Sequence, residues 1–303
     1  MFRYTNYSKQ AFHQKMDRML LHREMELLLL PIITELRADH PGVAARQLYF
    51  ILRPKGIGRD KFEQICFQNG FKLERLRSWR RTTDSSGVIR FPNLVTGIEF
   101  TDVNQLWVSD ITYYQIGQRF YYLTFILDNY SRMIVGHSVS KQLLTEQTTL
   151  PALQTALQKR KPKRGLIFHS DGGGQYYCKS FIKLTESFHI KNSMCDVAYE
   201  NPYAERINGT IKNQYLKGYN PQNYNELVSM TDKAIYNYNY VRPHKSLKNQ
   251  TPAGFEQQLG AGGTSSVNDN FCIFTGNIEL QKKNYHSPMT KKQKAVNKTV
   301  NVF

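Results

Sequence analysis

Three carboxylates stand where chemistry would use them. Asp110 lies inside a β-rich stretch, Asp171 follows the apolar run Leu166-Ile167-Phe168, and Glu205 comes early in a helical segment. Residues at the ends of neighbouring strands and on the flank of an adjacent helix can converge although far apart in sequence. Carboxylates brought together repel one another. A hard divalent cation, Mg2+ or Mn2+, relieves that repulsion, taking oxygen ligands while keeping positions open for water and phosphate. Two such ions about 3.5 to 4 Å apart would stabilise the attacking and leaving oxygens of a phosphodiester displacement. Taken singly, each acid fits a cap or turn equally well, and Asp128 in "LDNYS" is read that way. Glu200 competes with Glu205 in "YENPYAERINGTIK". Lys212, seven residues beyond Glu205, shares its helix face, whereas Glu200 precedes Pro202 and belongs to the entry of the helix.

Asp171 sits in "HSDGGGQYY". A phosphate-cradling loop would carry a Gly-Lys pair feeding a helix, and "GGGQYYCKS" has none. Gly172 to Gly174, lacking Cβ atoms, are read instead as clearance for a DNA backbone beside the Asp171 carboxylate. His169, two residues earlier on the same strand side, is read as a hydrogen-bonding neighbour or a DNA contact.

The elements that must position these groups follow from periodicity. Apolar residues at three- and four-residue steps predict a helix over 15–37, bent near Pro31. Residues 44–52 and 59–69 predict two short helices around the turn "PKGIG", the outline of a helix-turn-helix, followed by a basic arm with Arg75, Arg77, Arg80 and Arg81 around Trp79. Residues 82–105 read as a linker. Alternation predicts a strand over 107–114, with Asp110 and Thr112 on one side. Two apolar strands follow in 119–140, joined at "DNYSR". Further on come a helix over 145–159, a strand over 166–169, a helix near 178–188, a strand over 190–194 and a helix over 202–217. Antiparallel strands followed by strands alternating with helices predict a mixed α/β layer, a central sheet flanked by helices.

The chain has 303 residues, 40% of them apolar, and a net charge of +17 spread along its length. Such a balance suits a polyanionic partner and points to nucleic acid. The four cysteines form no CxxC pair, which fits reduced thiols in a cytosolic setting. "MELLLLPIITEL" falls short of the ~20 apolar residues that span a bilayer, and no signal peptide is recognisable.

At these residues the sequence resembles the catalytic (OrfB) transposase of IS3-family insertion sequences, with a retroviral-integrase-type core. The blocks that carry the resemblance are "NQLWVSDITYY", "YYLTFILDNYSRMIVGHSVS", "HSDGGGQYY", "SMCDVAYENPYAERINGTIKNQYL" and "YNYVRPHKSLKNQTPAGF", and the similarity extends from about residue 42 to residue 256. It implies an RNase H-like core whose DDE triad is Asp110, Asp171 and Glu205, with Lys212 as the basic residue that follows the glutamate. It further implies attack on phosphodiesters by water and then by a DNA 3′-hydroxyl, without a covalent protein intermediate, and excision through a circular intermediate. The interval from Asp171 to Glu205 is two residues shorter than the family's usual one, the shortening falling in "SMCDVAYEN".

The expected organisation is an N-terminal helical segment (1–41), a helix-turn-helix-like DNA-binding region (42–81), a linker (82–105), the catalytic core (106–256) and a basic tail (257–303). The expected function is metal-dependent DNA strand cleavage and transfer during transposition, with two Mg2+ (or Mn2+) per site. Double-stranded DNA is the expected partner, with self-association into at least a dimer on DNA, an upstream reading-frame (OrfA) product as a further partner, no membrane, and a cytoplasmic, nucleoid-associated location. Expected DNA contacts are Lys212, Arg206, His169, Arg75, Arg77, Arg80, Arg81, Arg242, His244 and Lys245. For "RPHKSL", helix packing is weighed equally with DNA contact. The competing readings are a decayed transposase that only binds DNA and an RNase H-like nuclease acting on hybrids.

Overall fold

The computed structural model describes residues 8–74, 91–195 and 201–260. β-branched and aromatic residues dominate the stretch after Gln105, and such residues suit a pleated, half-buried surface. They form β1 (Leu106–Ile116), β2 (Arg119–Asp128) and β3 (Ile134–Ser140). β1 and β2 pair antiparallel from Trp107↔Asp128 to Ile116↔Arg119, and β3 adds antiparallel to β2. β4 (Ile167–Ser170) and β5 (Lys191–Met194) then join on the other side, parallel to β1 and to one another. The order β3-β2-β1-β4-β5 is that of an RNase H-like core, the fold class expected from the sequence.

Asp128 is the turn former that its context implies. Its buried carboxylate accepts from the Tyr130 and Ser131 amides at 3.0 and 3.1 Å and from the Asn104 amide at 2.6 Å, satisfying the backbone of the β2–β3 turn.

One sheet face buries Trp107, Ile126, Val135 and Phe168 against α4 (Thr149–Arg160) and α5 (Lys179–Ser187). α4 lies so close to β3 that a Cβ at Gly136 would stand 2.3 Å from the Ala152 carbonyl. The helix expected over 145–159 is broken: a 3-10 turn at Thr145–Gln147 precedes Thr148, whose φ of −118° and ψ of −87° lie outside the helical region.

The opposite face receives α6 (Pro202–Thr210), packed on β1 and β2. Where the sequence predicts one uniform helix over 202–217, the chain passes from α6 into a π-helical segment, Ile211–Leu216, and on into α7 (Lys217–Tyr219). α8 (Tyr224–Tyr236) starts at Asn223, whose side chain accepts from the Glu226 amide. It runs into a second π-helical segment, Asn237–Val241. α9 (Pro252–Gln258) is clasped to α4 by the buried pair of Arg160 and Glu256, with Nη1 and Oε2 2.7 Å apart.

Ahead of the sheet stand α1 (Lys9–Asp39), α2 (Ala45–Leu52) and α3 (Arg59–Gln68). The last two lie within a residue of the expected helix-turn-helix pair, while α1 is longer than its periodicity indicates and contains Pro31. The α1–α2 junction seats on the π segment and α7. The Gly42 amide donates to the Gln214 carbonyl at 2.8 Å. A Cβ at Gly42 would stand 2.5 Å from the Gln214 Cα, and one at Gly218 would stand 2.3 Å from the Pro41 Cβ.

Candidate active site

The parallel pairing of β1 with β4 stops at Ser109↔Ser170. Asp110 follows inside β1, still paired with Phe125 of β2, and Asp171 is the residue just past β4, so the two lie next to each other where β4 ends. α6 crosses that end. From its buried side Asn208 donates through Nδ2 to Asp110 Oδ2 at 2.8 Å, and Asn201, just before the helix, donates through Nδ2 to the Ser109 carbonyl at 2.9 Å. Glu205 is exposed in the first turn of α6.

The electrostatics show the acids sharing one environment. Burial and then the neighbouring Asp171 push Asp110 up to about 7, and Glu205 adds to the rise, while the Ile111 amide and Asn208 oppose it. Burial likewise raises Asp171, opposed by the Gly173 amide, which donates to Oδ1 at 3.2 Å. Beneath them the buried Tyr176 hydroxyl meets Ser109 Oγ at 3.0 Å. Ser109 commits its own proton to the Phe125 carbonyl at 2.9 Å, so Tyr176 is the donor. Burial, Asp171 and Asp110 hold that phenol well above its ordinary value, leaving it a neutral hydrogen-bonding group.

Among the described residues no three His, Cys, Asp or Glu side chains are already gathered as a ligand cluster. The donor set nevertheless fits a hard cation: partly buried carboxylates, one of them raised by its acidic neighbours, are relieved by positive charge.

Lys212, on the π segment, donates from Nζ to Thr112 Oγ1 at 2.9 Å and to the Tyr113 carbonyl at 3.1 Å, and lies 5.1 Å from the centre of the Tyr113 ring. Burial lowers its pKa, and Asp110 raises it in opposition. The basic residue thus stands in the field of the acids, carried there by a non-α turn.

The three glycines, expected as clearance for DNA, include one that also serves the Asp171 carboxylate itself. None has positive φ, but a Cβ at Gly173 would stand 3.1 Å from Asp171 Oδ1, where it would crowd the carboxylate that the Gly173 amide holds.

The remaining expected contacts divide. His169 is buried in β4, with Nδ1 2.9 Å from Ser193 Oγ. Arg206 is exposed beside Glu205. Arg242 donates from Nε to Gln214 Oε1 at 3.1 Å, and its guanidinium lies 5.7 Å from the Tyr238 ring centre. His244 is buried, its ring edge-on to Tyr238 at 4.5 Å. In "RPHKSL" the structure therefore uses Arg242 and His244 in packing and leaves Lys245 exposed. Arg75, Arg77, Arg80, Arg81 and the rival acid Glu200 lie outside the described residues. Asn208, Asn201 and Tyr176 were not legible as site residues. The one available signal was that Asn208 falls three residues after Glu205, on the same helix flank.

A mixed five-stranded sheet flanked by helices, with Asp110 inside β1 and Asp171 just past β4, is the layout of an integrase-type core. The integrase core domain family matches residues 101–199, and a second integrase core family matches residues 187–252. The "Insertion element IS600 uncharacterized 31 kDa protein" of Shigella sonnei is 30% identical over 261 residues, covering 84% of this chain and 94% of that protein. "Transposase InsF for insertion sequence IS3A" of Escherichia coli (strain K12) is 33% identical over 117 residues, 38% of this chain and 40% of that protein. The magnesium complex of the HTLV-2 integrase catalytic core domain (dimeric form) is 25% identical, covers 50% of this chain and 96% of that one, and has a TM-score of 0.41. The chain belongs to the IS3-family insertion-sequence transposases with an integrase-like catalytic core. No helix among the described residues is long and apolar enough to cross a membrane.

Proposed function

We propose that Asp110, Asp171 and Glu205 are the catalytic carboxylates of this transposase and that they cut and join DNA strands at the end of the element. The observation that carries this is the junction where β4 ends: Asp171 leaves β4 next to Asp110 on β1, and the helix bearing Glu205 is bonded to Asp110 through Asn208. The three acids would hold Mg2+ (or Mn2+), two ions per site, which when bound supplies positive charge for the attacking and leaving oxygens.

The protein's own groups do the positioning. Asn208 fixes one oxygen of Asp110, the Gly173 amide fixes one of Asp171, and Lys212 holds a positive charge beside them for the scissile phosphate. Water and then a DNA 3′-hydroxyl are the nucleophiles. Transposon-end and target duplexes are gripped by residues 42–81, with Arg75, Arg77, Arg80 and Arg81, and by Arg206 and Lys245 on the core. His169, Arg242 and His244 support that surface from within. Two ends are brought together by at least a dimer, with an upstream OrfA product as partner, in the bacterial cytoplasm at the nucleoid.

The test is cleavage and joining of a labelled transposon-end duplex with Mg2+, comparing the native chain with Glu205→Gln and Glu200→Gln. Loss of both steps in Glu205→Gln alone supports the triad. Loss in Glu200→Gln alone moves the third ligand. No reaction by the native chain, with or without OrfA, supports a protein that only binds DNA.

A further inference from the structure

α6 presents two flanks. Glu205 and Asn208 lie on one, whereas Tyr203, Arg206 and Thr210, three and four residues apart, lie on the other. Three arginines gather along this second flank. Arg132 closes the Asp128 turn with a φ of 64°, a conformation uncommon for a residue other than glycine. Its guanidinium lies 3.9 Å from the centre of the Tyr203 ring, and Nη1 donates to Asn129 Oδ1 at 3.0 Å. Arg206 stands exposed in the next turn of α6. Arg242, with Nε on Gln214 Oε1 and Nη1 3.3 Å from His244 Nδ1, ends the row.

The row carries charge without compensation. None of the three arginines forms an ion pair among the described residues. All three act on one buried phenol: burial pushes Tyr238 up to about 12, and Arg242, Arg132 and Arg206 oppose that rise. Burial, followed by Arg242, keeps His244 neutral between them, so Arg242 is held in place by a group that adds no charge. Guanidinium groups fixed by stacking and by neutral partners keep their charge for an anion.

The length and the end of the row say which anion. From Tyr203 to Gln214 the helix rises about 16 Å, or about five base steps at 3.4 Å per strand phosphate, which exceeds a single phosphate group. Beside Arg242 the row meets the helix-turn-helix-like pair, where Gln47 of α2 donates from Nε2 to the Pro243 carbonyl at 3.2 Å. A polyanion resting on α2 and α3 can therefore continue along α6. We infer that Arg132, Arg206 and Arg242 hold the backbone of the DNA duplex as it leaves the helix-turn-helix-like region, on the flank of α6 turned away from the acids, with Arg132 aimed by the Tyr203 ring. This rests on the DNA strand-transfer reading above. Contact with phosphate alone carries no sequence information, so the site grips any duplex.

The experiment measures binding of the full chain by fluorescence anisotropy without divalent metal, on a labelled transposon-end duplex and a scrambled duplex of equal length, across a salt series. Arg132→Gln and Arg206→Gln should each lower the slope of log affinity against log salt by about 0.9 on both duplexes. Tyr203→Leu removes no charge and should cost about fivefold in affinity with the slope kept. Lys183→Gln, exposed on α5 across the sheet, should match the native chain. An unchanged slope in both arginine variants, a loss confined to the transposon-end duplex, or an equal fall in Lys183→Gln overturns the site. Full affinity in Tyr203→Leu overturns the aiming of Arg132. Because binding is read without metal, a native chain that neither cuts nor joins, yet shows the loss on both duplexes, retains the row while the catalytic reading falls. Cleavage by the native chain with no such loss does the reverse.

Discussion

Asn208 Nδ2 donates to Asp110 Oδ2 at 2.8 Å, so the helix that carries Glu205 is bonded directly to the strand that carries Asp110. Asn208 is a positioning residue: it keeps one acid oriented relative to another. Asn208→Ala should lower strand cleavage about 10- to 100-fold, the usual cost of losing such a partner around a metal site. DNA affinity without metal should be unchanged. A parallel fall in affinity would assign Asn208 to DNA contact instead.

Divalent metal should stabilise the chain through the same acids. Burial and Asp171 raise Asp110, so the ionised site is strained until a cation is bound. At a Mg2+ concentration one hundred times its dissociation constant the gain is about 2.7 kcal/mol, visible as a rise in melting temperature. Asp110→Asn should melt no lower than the native chain without metal and should lose the Mg2+ response. An undiminished response in that variant would place the cation elsewhere.

Acid should destabilise the chain through two buried histidines. Burial, followed in effect by Arg242, pushes His244 down to about 3. Burial pushes His40 down to about 4, with Asp39 opposing and Arg242 adding to the fall. The unfolded chain takes up these protons near pH 6.5, while the folded chain does so only near 3 and 4. Stability is therefore full above about 6.5 and declines as the pH falls toward 3. Urea midpoints between pH 8 and 4.5 should fall, and less steeply in His244→Gln. Identical slopes would leave His244 without that role.

The seat of the N-terminal helices should be intolerant of bulk. Gly218→Val places a side chain where a Cβ alone would be 2.3 Å from the Pro41 Cβ. A cost of about 1–3 kcal/mol is expected for such overpacking, with protease cutting near residues 40–44 in the folded protein. Unchanged denaturation and digestion would show that Pro41 yields without cost.

What the sequence revealed and concealed has a physical basis. Strands β1 to β5, the α2–α3 pair and the Asp128 turn were legible because local patterning and local hydrogen bonds determine them. The 3-10 break before α4 and both π segments were not, since a mid-helix change of hydrogen-bond pattern depends on what the helix packs against. Gln214, Tyr215 and Gly218 meet the α1–α2 junction, and nothing in "IKNQYLKGY" announces that contact. At the site, the acids were found by type and placement. Asn208 was passed over because an amide in a helix carries no chemical signature until its partner strand is known. Tyr176 carries no such signature in "GGGQYYCKS" either, and only the Ser109 hydroxyl beneath Asp110 gives it a place.

The π segment at Ile211–Leu216 also limits how the chain can change length. A residue added to or removed from the α-helical turns between Glu205 and Ile211 would rotate everything downstream by about 100°, one residue's share of a 3.6-residue turn, turning Gly218 away from Pro41 and Gln214 from Gly42. The wider π turn holds one residue more than an α-helical turn does, so a single-residue loss inside it restores an ordinary ladder and leaves that phase in place. Length variation is therefore tolerated inside the π segment and forbidden in the α-helical turns before it, where the phase of the helix ties the acids to the rest of the protein.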